Sequence, residues 1–332
     1  MKHVNVSLFV PHSGCPHTCS FCNQKTISGK SEPLTLENVI SACETARKGE
    51  HDIKNSEIAF FGGSFTAIER DRMTAYLETA YPYVGRDFGG IRVSTRPDCI
   101  DREVLDILKK YGVTAIELGS QSMCDDVLMM NERGHRAEAT VKASALIKEY
   151  GFSLGLQMMT GLYGSTREKD VYTADEFVKL QPDTVRIYPT VVLENTKLCE
   201  LYKAGEYTPP TVEEAADLCA ELLIKFHINN INVIRLGLHS GGNVEEGFVA
   251  GIYHPAFGEL CEGLIYRRKL EEVIYKNDPG RYTVEVPKGE ISKMTGQKKS
   301  NKEYFRSKGY EIKITENAEL DKYEINLLKG IN

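Results

Sequence analysis

The sequence lacks any long apolar run. In its 332 residues there is no stretch of about 18 consecutive apolar residues, the minimum for a membrane-spanning helix. The initial segment MKHVNVSLFVPHSGCPH has too short an apolar stretch for a signal peptide. Internal repeats and low-complexity linkers are also missing. We therefore expect a cytoplasmic protein that does not associate with a membrane.

Cysteine is distributed unevenly along the chain. Three of the nine cysteines, Cys15, Cys19 and Cys22, lie within eight residues. Thiols stay reduced in a cytoplasmic protein, so such a compact group is better explained by metal binding or catalysis than by disulfides. An isolated cysteine is usually a small buried hydrophobic residue. We therefore expect the scattered cysteines to lie in the core, namely Cys43, Cys99, Cys124, Cys199, Cys219 and Cys261.

Apolar segments of strand length alternate with segments of helical length. The apolar segments are residues 3–10, 56–63, 91–95, 115–119, 152–161, 183–189 and 231–238. Nearly continuous apolar strands joined by helices predict a parallel sheet covered by helices. We expect an α/β protein with a partial (β/α)6-type TIM barrel, whose ligands bind at the carboxyl ends of the strands.

The pattern changes after residue 265. A charged helix is followed by a strand at 281–287, a lysine-rich helical stretch and a strand at 309–315. We predict a catalytic core in residues 1–265 and a small α+β appendage in residues 266–332. The chain has a net charge of -6, but residues 288–313 carry eight basic and three acidic side chains, a local charge of +5. The order of elements resembles a KH-type nucleic-acid-binding module, although the GQKK loop lacks its second glycine; a solvated surface is the alternative.

The clustered cysteines have the spacing C-x3-C-x2-C, in the segment GCPHTCSFC after the first predicted strand. Three thiolates on one loop suit three irons of a cubane iron–sulfur cluster, whose fourth iron then lacks a protein ligand. Zinc is the alternative, with His12 or His17 as the fourth ligand. No second pair of ligands follows downstream, as a zinc finger or ribbon requires.

This spacing, with Phe21 just before the last cysteine, resembles the radical S-adenosylmethionine superfamily. Further segments resemble, in the same order, the radical domain of the catalytic subunit of Elongator, a tRNA-modifying enzyme. These segments are residues 60–68, 94–98, 117–122, 131–135, 158–166 and 185–207. The resemblance implies a 4Fe-4S cluster on Cys15, Cys19 and Cys22 that cleaves S-adenosylmethionine to a 5′-deoxyadenosyl radical. It also implies an electron donor such as flavodoxin or ferredoxin and an RNA substrate such as tRNA.

The same resemblance implies residues that bind S-adenosylmethionine. Gly62, Gly63 and Ser64 match a motif whose backbone contacts the methionine amino group, and a tight turn is the alternative interpretation. Gln121 and Arg133 match polar positions in oxygen-independent coproporphyrinogen oxidase, a related enzyme. We expect Arg133 to bind the methionine carboxylate, with a surface salt bridge as the alternative.

Three more residues follow predicted strands or lie near their ends. Arg96 is expected either to bind the same ligand or to cap a helix. Met158, with Met159, matches the position that packs against adenine, although methionines on a buried strand are usually core residues. Tyr188 is a candidate catalytic residue on the substrate side, with an ordinary buried tyrosine as the alternative.

The resemblance to Elongator does not extend along the whole chain. Residues 266–332 are too few for the acetyltransferase domain of the Elongator subunit, and the first strand begins too early for its basic tRNA-binding extension. We expect a radical enzyme that acts on RNA and recruits it through the basic appendage. The alternatives are a radical enzyme for a small metabolite or tetrapyrrole and a non-catalytic metal-cluster RNA-binding protein.

Overall fold

The computed structural model describes residues 5–10, 15, 18–23, 33–49, 56–238 and 244–329. The chain divides into two compact units. The first consists of Met1–Pro210 and Asn229–Tyr253, and the second of Thr211–Ile228 and His254–Asn332. The predicted boundary after residue 265, as the limit of a catalytic core, stays a prediction.

The helices and strands have the following bounds within the described residues. The strands are β1 (Val6–Val10), β2 (Glu57–Gly62), β3 (Gly90–Thr95), β4 (Val113–Gln121), β5 (Ser153–Thr160), β6 (Thr184–Pro189), β7 (Val191–Leu193), β8 (Asn232–Leu236), β9 (Phe248–Gly251), β10 (Gly280–Val286), β11 (Tyr310–Glu316) and β12 (Asn326–Lys329). The α-helices are α1 (Leu36–Arg47), α2 (Arg70–Ala80), α3 (Arg102–Lys110), α4 (Asp125–Met130), α5 (Ala137–Glu149), α6 (Arg167–Leu180), α7 (Lys197–Lys203), α8 (Val212–Ile228), α9 (Val244–Gly247), α10 (Phe257–Ile274), α11 (Ile291–Thr295) and α12 (Ser300–Ser307). Of the described helices, none has both the length and the apolar composition needed to cross a membrane.

A seven-stranded parallel sheet forms the centre of the first unit. Its strand order is β1-β2-β3-β4-β5-β6-β8, and every neighbouring pair is parallel. Ile58, Ile116 and Leu154 on its strands are fully buried, as expected for a parallel sheet covered by helices. The strands correspond to the seven predicted apolar segments, so the prediction of an α/β partial barrel is confirmed.

One face of this sheet carries charged side chains. We call Glu57 on β2, Arg92 on β3, Glu117 on β4 and Arg186 on β6 the interior charge cluster. The Glu117 carboxylate is 1% exposed and accepts hydrogen bonds from Arg92 Nη1 at 3.2 Å and Arg186 Nη2 at 2.9 Å. Arg92 Nε also donates to Glu57 Oε2 at 2.7 Å. Each buried charge of the cluster therefore has an opposite charge beside it, as burial requires.

The position of Arg186 shows that the sheet is curled. In a flat sheet β2 and β6 would lie about 19 Å apart, because neighbouring strands are about 4.8 Å apart. Nevertheless, the Arg186 guanidinium lies 5.5 Å from the centre of the Phe61 ring on β2. Two side chains span this gap only if the sheet bends toward the face that carries them. The seven strands therefore form a half-barrel, with the interior charge cluster inside.

The second unit contains a separate three-stranded sheet. Its order is β11-β10-β12, with β10 parallel to β11 and antiparallel to β12. Tyr266, Val284 and Phe305 are fully buried in this unit. The small α+β unit and its first two strands confirm the predicted appendage, whereas β12 was not predicted because NLLK is short and has no clear alternation. The comparison with a KH module stays a prediction.

We predict that Glu117→Gln lowers the free energy of unfolding by about 3 kcal/mol, because Arg92 and Arg186 would then keep buried charges without their shared carboxylate. Urea denaturation measures this loss. The matched control is Glu138→Ala, which breaks an ion pair with Lys142 whose side chains are 71% and 70% exposed. The control should cost less than about 1 kcal/mol. Equal losses in the two variants would contradict a stabilising role for the interior charge cluster.

Candidate active site

The cysteine loop begins after β1, at the edge of the sheet where the parallel strands end. In α/β barrels this edge carries the active site. Gly62 ends β2, Thr95 ends β3 and Gln121 ends β4 at the same edge. Predicted site residues from separate parts of the sequence therefore share one region of the first unit.

The three clustered cysteines lie close to the protein surface but not on it. Cys19 is buried, whereas Cys15 and Cys22 are half-buried. The N–H of Cys22 donates to the carbonyl of Cys19 at 3.0 Å, so a tight turn joins these two residues. In the part of the chain that the structure describes, no three His, Cys, Asp or Glu side chains surround a common metal position. All nine cysteines are described, and none forms a disulfide, so the loop retains its three thiols.

The surroundings of Cys15 act on its ionisation in opposite directions. Burial raises the pKa of the Cys15 thiol above its ordinary value. The negative charge of Cys19 also raises it, whereas a hydrogen bond from the backbone of Ser64 and the positive charges of Arg133 and Arg96 lower it without reversing the net rise. These three groups favour the thiolate, which is the form that binds metals. The chemistry of the loop thus fits a metal cluster.

Gly62 is required by the close approach of β2 to β1. Its φ is +117°, and a Cβ there would lie 2.5 Å from the carbonyl oxygen of Val10 and 2.8 Å from Cε2 of Phe9. The N–H of Gly63 donates to the same Val10 oxygen at 2.9 Å. This close approach of the two strands by itself requires a glycine at position 62. The contact of Gly62, Gly63 and Ser64 with the methionine amino group stays a prediction.

A group of hydroxyls joins the ends of β2 and β3. The Ser64 Oγ lies 2.7 Å from Thr95 Oγ1 and accepts a hydrogen bond from the N–H of Arg96 at 3.2 Å. Thr66 Oγ1 lies 2.6 Å from the same Thr95 oxygen. Because the Ser64 backbone also contacts Cys15, this group connects the cysteine loop to two strand ends.

Arg96 is fixed by an acidic neighbour. It is 2% exposed, and its Nε and Nη2 donate to the two Asp98 oxygens at 2.9 Å each. Burial opposes the charge of Asp98, but the Arg96 guanidinium outweighs it and holds the pKa of that carboxyl below its usual value. Nη2 of Arg96 also donates to the carbonyl of Arg133 at 2.7 Å. Arg96 therefore supports the segment that carries Arg133. It also precedes the short 3-10 helix Pro97–Cys99 as its N-cap residue, but its side chain makes no cap hydrogen bond there.

Arg133 connects the cysteine loop to β4. It is buried, its Nη1 donates to Cys19 Sγ at 3.2 Å, and its Nη2 donates to the carbonyl of Gly119. A Cβ on Gly119 would lie 3.0 Å from this Nη2 and 3.1 Å from Nε2 of Gln121. The side chains of Arg133 and Gln121 thus meet above Gly119. Arg133 is not the exposed surface residue of the alternative interpretation.

Several buried polar atoms of this region have no hydrogen-bond partner within the described residues. They are Arg96 Nη1, Arg133 Nε and Gln121 Oε1. Buried polar groups in proteins are nearly always paired, and unpaired ones point to a water, an ion or a ligand. Two unused cationic donors and one acceptor suit a ligand that carries a carboxylate and an amino group. The residues present therefore fit the methionine part of S-adenosylmethionine.

Met158 lies opposite Gln121 of this group in the pairing of β4 with β5, whereas Tyr188 lies on β6. Met158 is fully buried and is adjacent in sequence to Gln157, whose Nε2 donates to Glu117 at 3.3 Å. Because alternate residues face the same side, Met159 faces the half-barrel interior and Met158 faces away. Tyr188 is half-buried on β6 and hydrogen-bonds Arg186 of the interior charge cluster. Their predicted roles stay predictions, and Met159 is the better placed methionine.

Three histidines, His12, His17 and His135, lie in or next to the segments that resemble the family. His12 and His17 lie outside the described residues. Burial and the charge of Arg133 lower the pKa of His135 to about 4. His135 is therefore neutral at neutral pH and adds no charge beside the two arginines.

Several residues of this region were not predicted from the sequence. The predicted residues are held in place by four others, Ser20, Thr95, Asp98 and Asn131. In the sequence, the only indication of these four is that they lie within the segments that resemble the family. The expectation that scattered cysteines lie in the core was wrong for Cys99 and Cys124, which are half-buried. The Cys99 thiol hydrogen-bonds Ser64 at the edge of the site.

Family models match most of the chain. A model described as the Radical SAM superfamily matches residues 9–177. A second, described as the Radical_SAM C-terminal domain, matches residues 182–267. The chain belongs to the radical SAM superfamily. This membership confirms the prediction from the cysteine spacing and shows that the radical SAM chain is an enzyme.

Individual relatives support the resemblance to Elongator. The chain is 29% identical over 259 residues to the tRNA uridine(34) acetyltransferase of Methanocaldococcus infernus. The matched region covers 64% of this chain and 48% of the relative. It is 38% identical over 195 residues to Elongator complex protein 3 of Danio rerio, with coverages of 52% and 35%. An N-terminally deleted Elp3 of Methanocaldococcus infernus has a similar structure, with a TM-score of 0.62 and 25% identity over 70% of this chain and 59% of that chain. The radical SAM chain spans about half the length of the curated relatives it matches.

Proposed function

We propose that this chain holds a 4Fe-4S cluster on Cys15, Cys19 and Cys22, cleaves S-adenosylmethionine and modifies RNA. The observation that carries the proposal is the position of Arg133. Its Nη1 donates to Cys19 Sγ at 3.2 Å, while its buried Nε has no partner in the described part of the chain. A guanidinium that contacts a metal-binding cysteine and keeps an unused donor is placed to bind an anion beside the metal. The carboxylate of S-adenosylmethionine is such an anion.

The residues around the cysteines would bind and orient the cofactors. When bound, the cluster supplies the electron that splits S-adenosylmethionine into methionine and a 5′-deoxyadenosyl radical; a flavodoxin or ferredoxin would deliver that electron to the protein. Arg133 holds the carboxylate, and Arg96 holds the Arg133 backbone at 2.7 Å. The unpartnered Oε1 of Gln121 accepts an N–H of the amino group. Tyr188, on the inner face of the sheet, contacts the substrate.

An RNA substrate is supported by the relatives and by the charges of the second unit. The relative from Methanocaldococcus infernus acts on tRNA uridine 34, as its name states. In the second unit some cations are already paired: Lys293 Nζ lies 2.8 Å from Glu290, and Arg281 lies 2.9 Å from Glu311. Those side chains have little charge left for a partner.

Other cations of the second unit are unpaired. Lys298, Lys299 and Lys302 form no ion pair with any described residue, and they lie at the turn before α12 and in its first turn. Lys298 and Lys299 are exposed, with φ of 51° and 64°. Three adjacent unpaired positive charges on a short segment suit a polyanion, because each phosphate they neutralise releases counterions. We infer that this segment contacts RNA.

The cluster is tested by metal analysis of anaerobically purified protein. The wild type should contain about four irons and four sulfides per chain. Alanine at Cys15, Cys19 or Cys22 should remove the cluster, because each thiolate binds one iron. Cys43→Ala and Cys219→Ala are the controls, since both side chains are fully buried on helices, α1 and α8, and they should keep it. Stoichiometric zinc without sulfide, or equal losses in all five variants, would overturn the proposal.

The RNA contact is tested by measuring tRNA affinity against salt concentration. Replacing Lys298, Lys299 and Lys302 with Glu should weaken binding by at least about tenfold at 0.1 M salt and flatten the salt slope, because each lost phosphate contact lowers the slope by about 0.7 to 0.9. The control replaces Lys142, Lys148 and Lys179, on helices α5 and α6, with Glu and changes the net charge equally. If both triple variants bind tRNA alike, the segment is not the contact. If the wild type shows no salt-dependent binding, a small-molecule substrate inside the half-barrel becomes the better account.

A further inference from the structure

Ser20, which lies between Cys19 and Cys22, is held through every polar group it has. Its side chain is buried, with an exposure of 1%. The Ser20 N–H donates to the carbonyl of Asn131 at 3.1 Å, and its Oγ donates to Asn131 Oδ1 at 2.8 Å. Its carbonyl accepts a hydrogen bond from the N–H of Leu198 at 2.8 Å. The middle of the cysteine loop is therefore fixed by distant parts of the chain.

Asn131 is itself fixed to two further segments. It is 1% exposed and follows directly after α4. Its Nδ2 donates to the carbonyl of Val127 in α4 and to the carbonyl of Tyr163 after β5, both at 2.8 Å. Its N–H also donates to Val127 at 3.1 Å. A single side chain thus joins the cysteine loop, the end of α4 and the loop after β5.

Only an amide side chain makes all of these bonds. It carries one acceptor oxygen and a nitrogen with two donors. Aspartate would accept from Ser20 but would face the carbonyls of Val127 and Tyr163 with a negative charge and no donor. Alanine would leave those carbonyls and the Ser20 hydroxyl without partners, which is costly in a buried site.

The same turn also reaches the sulfur of Cys19. Arg133, two residues after Asn131, donates its own N–H to Leu128 at 2.9 Å and its Nη1 to Cys19 Sγ at 3.2 Å. Residues 131–133 therefore hold both the backbone after Cys19 and its side chain. Cys22 follows in the tight turn described above, so its position depends on that of Ser20.

We propose that Asn131 is a positioning residue that keeps the cysteine loop in the shape that retains an iron–sulfur cluster. This role rests on the proposed function. Three sulfurs retain a cubane cluster only while the backbone between them keeps its shape. Mutation of residues that hydrogen-bond or support the metal ligands commonly changes how well the metal is retained. Loss of Asn131 lets the segment from Cys19 to Cys22 move, and iron escapes faster.

The experiment measures iron release from the anaerobic, full-length, cluster-loaded protein to a ferrous chelator. Asn131→Ala and Asn131→Asp should release iron at least about tenfold faster than the wild type. Ser20→Ala, which removes one hydrogen bond and keeps both backbone bonds of Ser20, should have a smaller effect and no added effect in the Asn131→Ala background. This milder variant keeps the test valid if Asn131→Ala does not fold.

Asn301→Ala is the matched control, because Asn301 is also buried and donates its Nδ2 to two carbonyls, those of Gly263 at 2.7 Å and Met294 at 3.1 Å, in the second unit. It should lower the melting temperature yet release iron at the wild-type rate. Iron release at the wild-type rate in both Asn131 variants, or equally fast release in Asn301→Ala, would overturn the role of Asn131. The proposed cluster would be unaffected by either result. A wild type without iron would overturn the proposed cluster as well.

Discussion

Glu117 accepts hydrogen bonds from two arginines that belong to different strands, Arg92 on β3 and Arg186 on β6. A carboxylate with 1% exposure is tolerated only when positive groups surround it. Arg186 also reaches the Phe61 ring on β2, four strands away from β6, and that contact requires the sheet to bend. The curl brings the ends of the strands together, and the candidate site is built from those ends.

The candidate site is held together mainly by hydrogen bonds between side chains from different strand ends and loops. Ser64 connects the end of β2 to Thr95 at 2.7 Å, and Arg96 connects β3 to the backbone of Arg133 at 2.7 Å. Arg133 then reaches Cys19. Residues far away in sequence thus hold Cys19 and Ser20 of the cysteine loop in place.

The sequence was sufficient for those features that depend on local pattern. Seven apolar segments predicted the parallel sheet, and the spacing of Cys15, Cys19 and Cys22 predicted the family. Pairing between distant residues leaves no local pattern, so the contacts of Asn131 with Ser20 and of Arg96 with the backbone of Arg133 could not be predicted. The choice between Met158 and Met159 also failed to follow from sequence, because alternation shows only that the two face opposite sides. Which side is the interior depends on the long-range contact of Gln157 with Glu117.

The central claim is that S-adenosylmethionine binds to a cluster on the cysteine loop with its carboxylate on Arg133. The most direct measurement is the electron paramagnetic resonance spectrum of the reduced protein titrated with S-adenosylmethionine, in the wild type and in Arg133→Ala. The account predicts that the cosubstrate changes the g values of the wild-type cluster, and that Arg133→Ala needs at least about tenfold more of it for the same change, because a charge-assisted hydrogen bond is lost. A cluster spectrum that S-adenosylmethionine leaves unchanged, or equal titrations of the two proteins, would contradict the account.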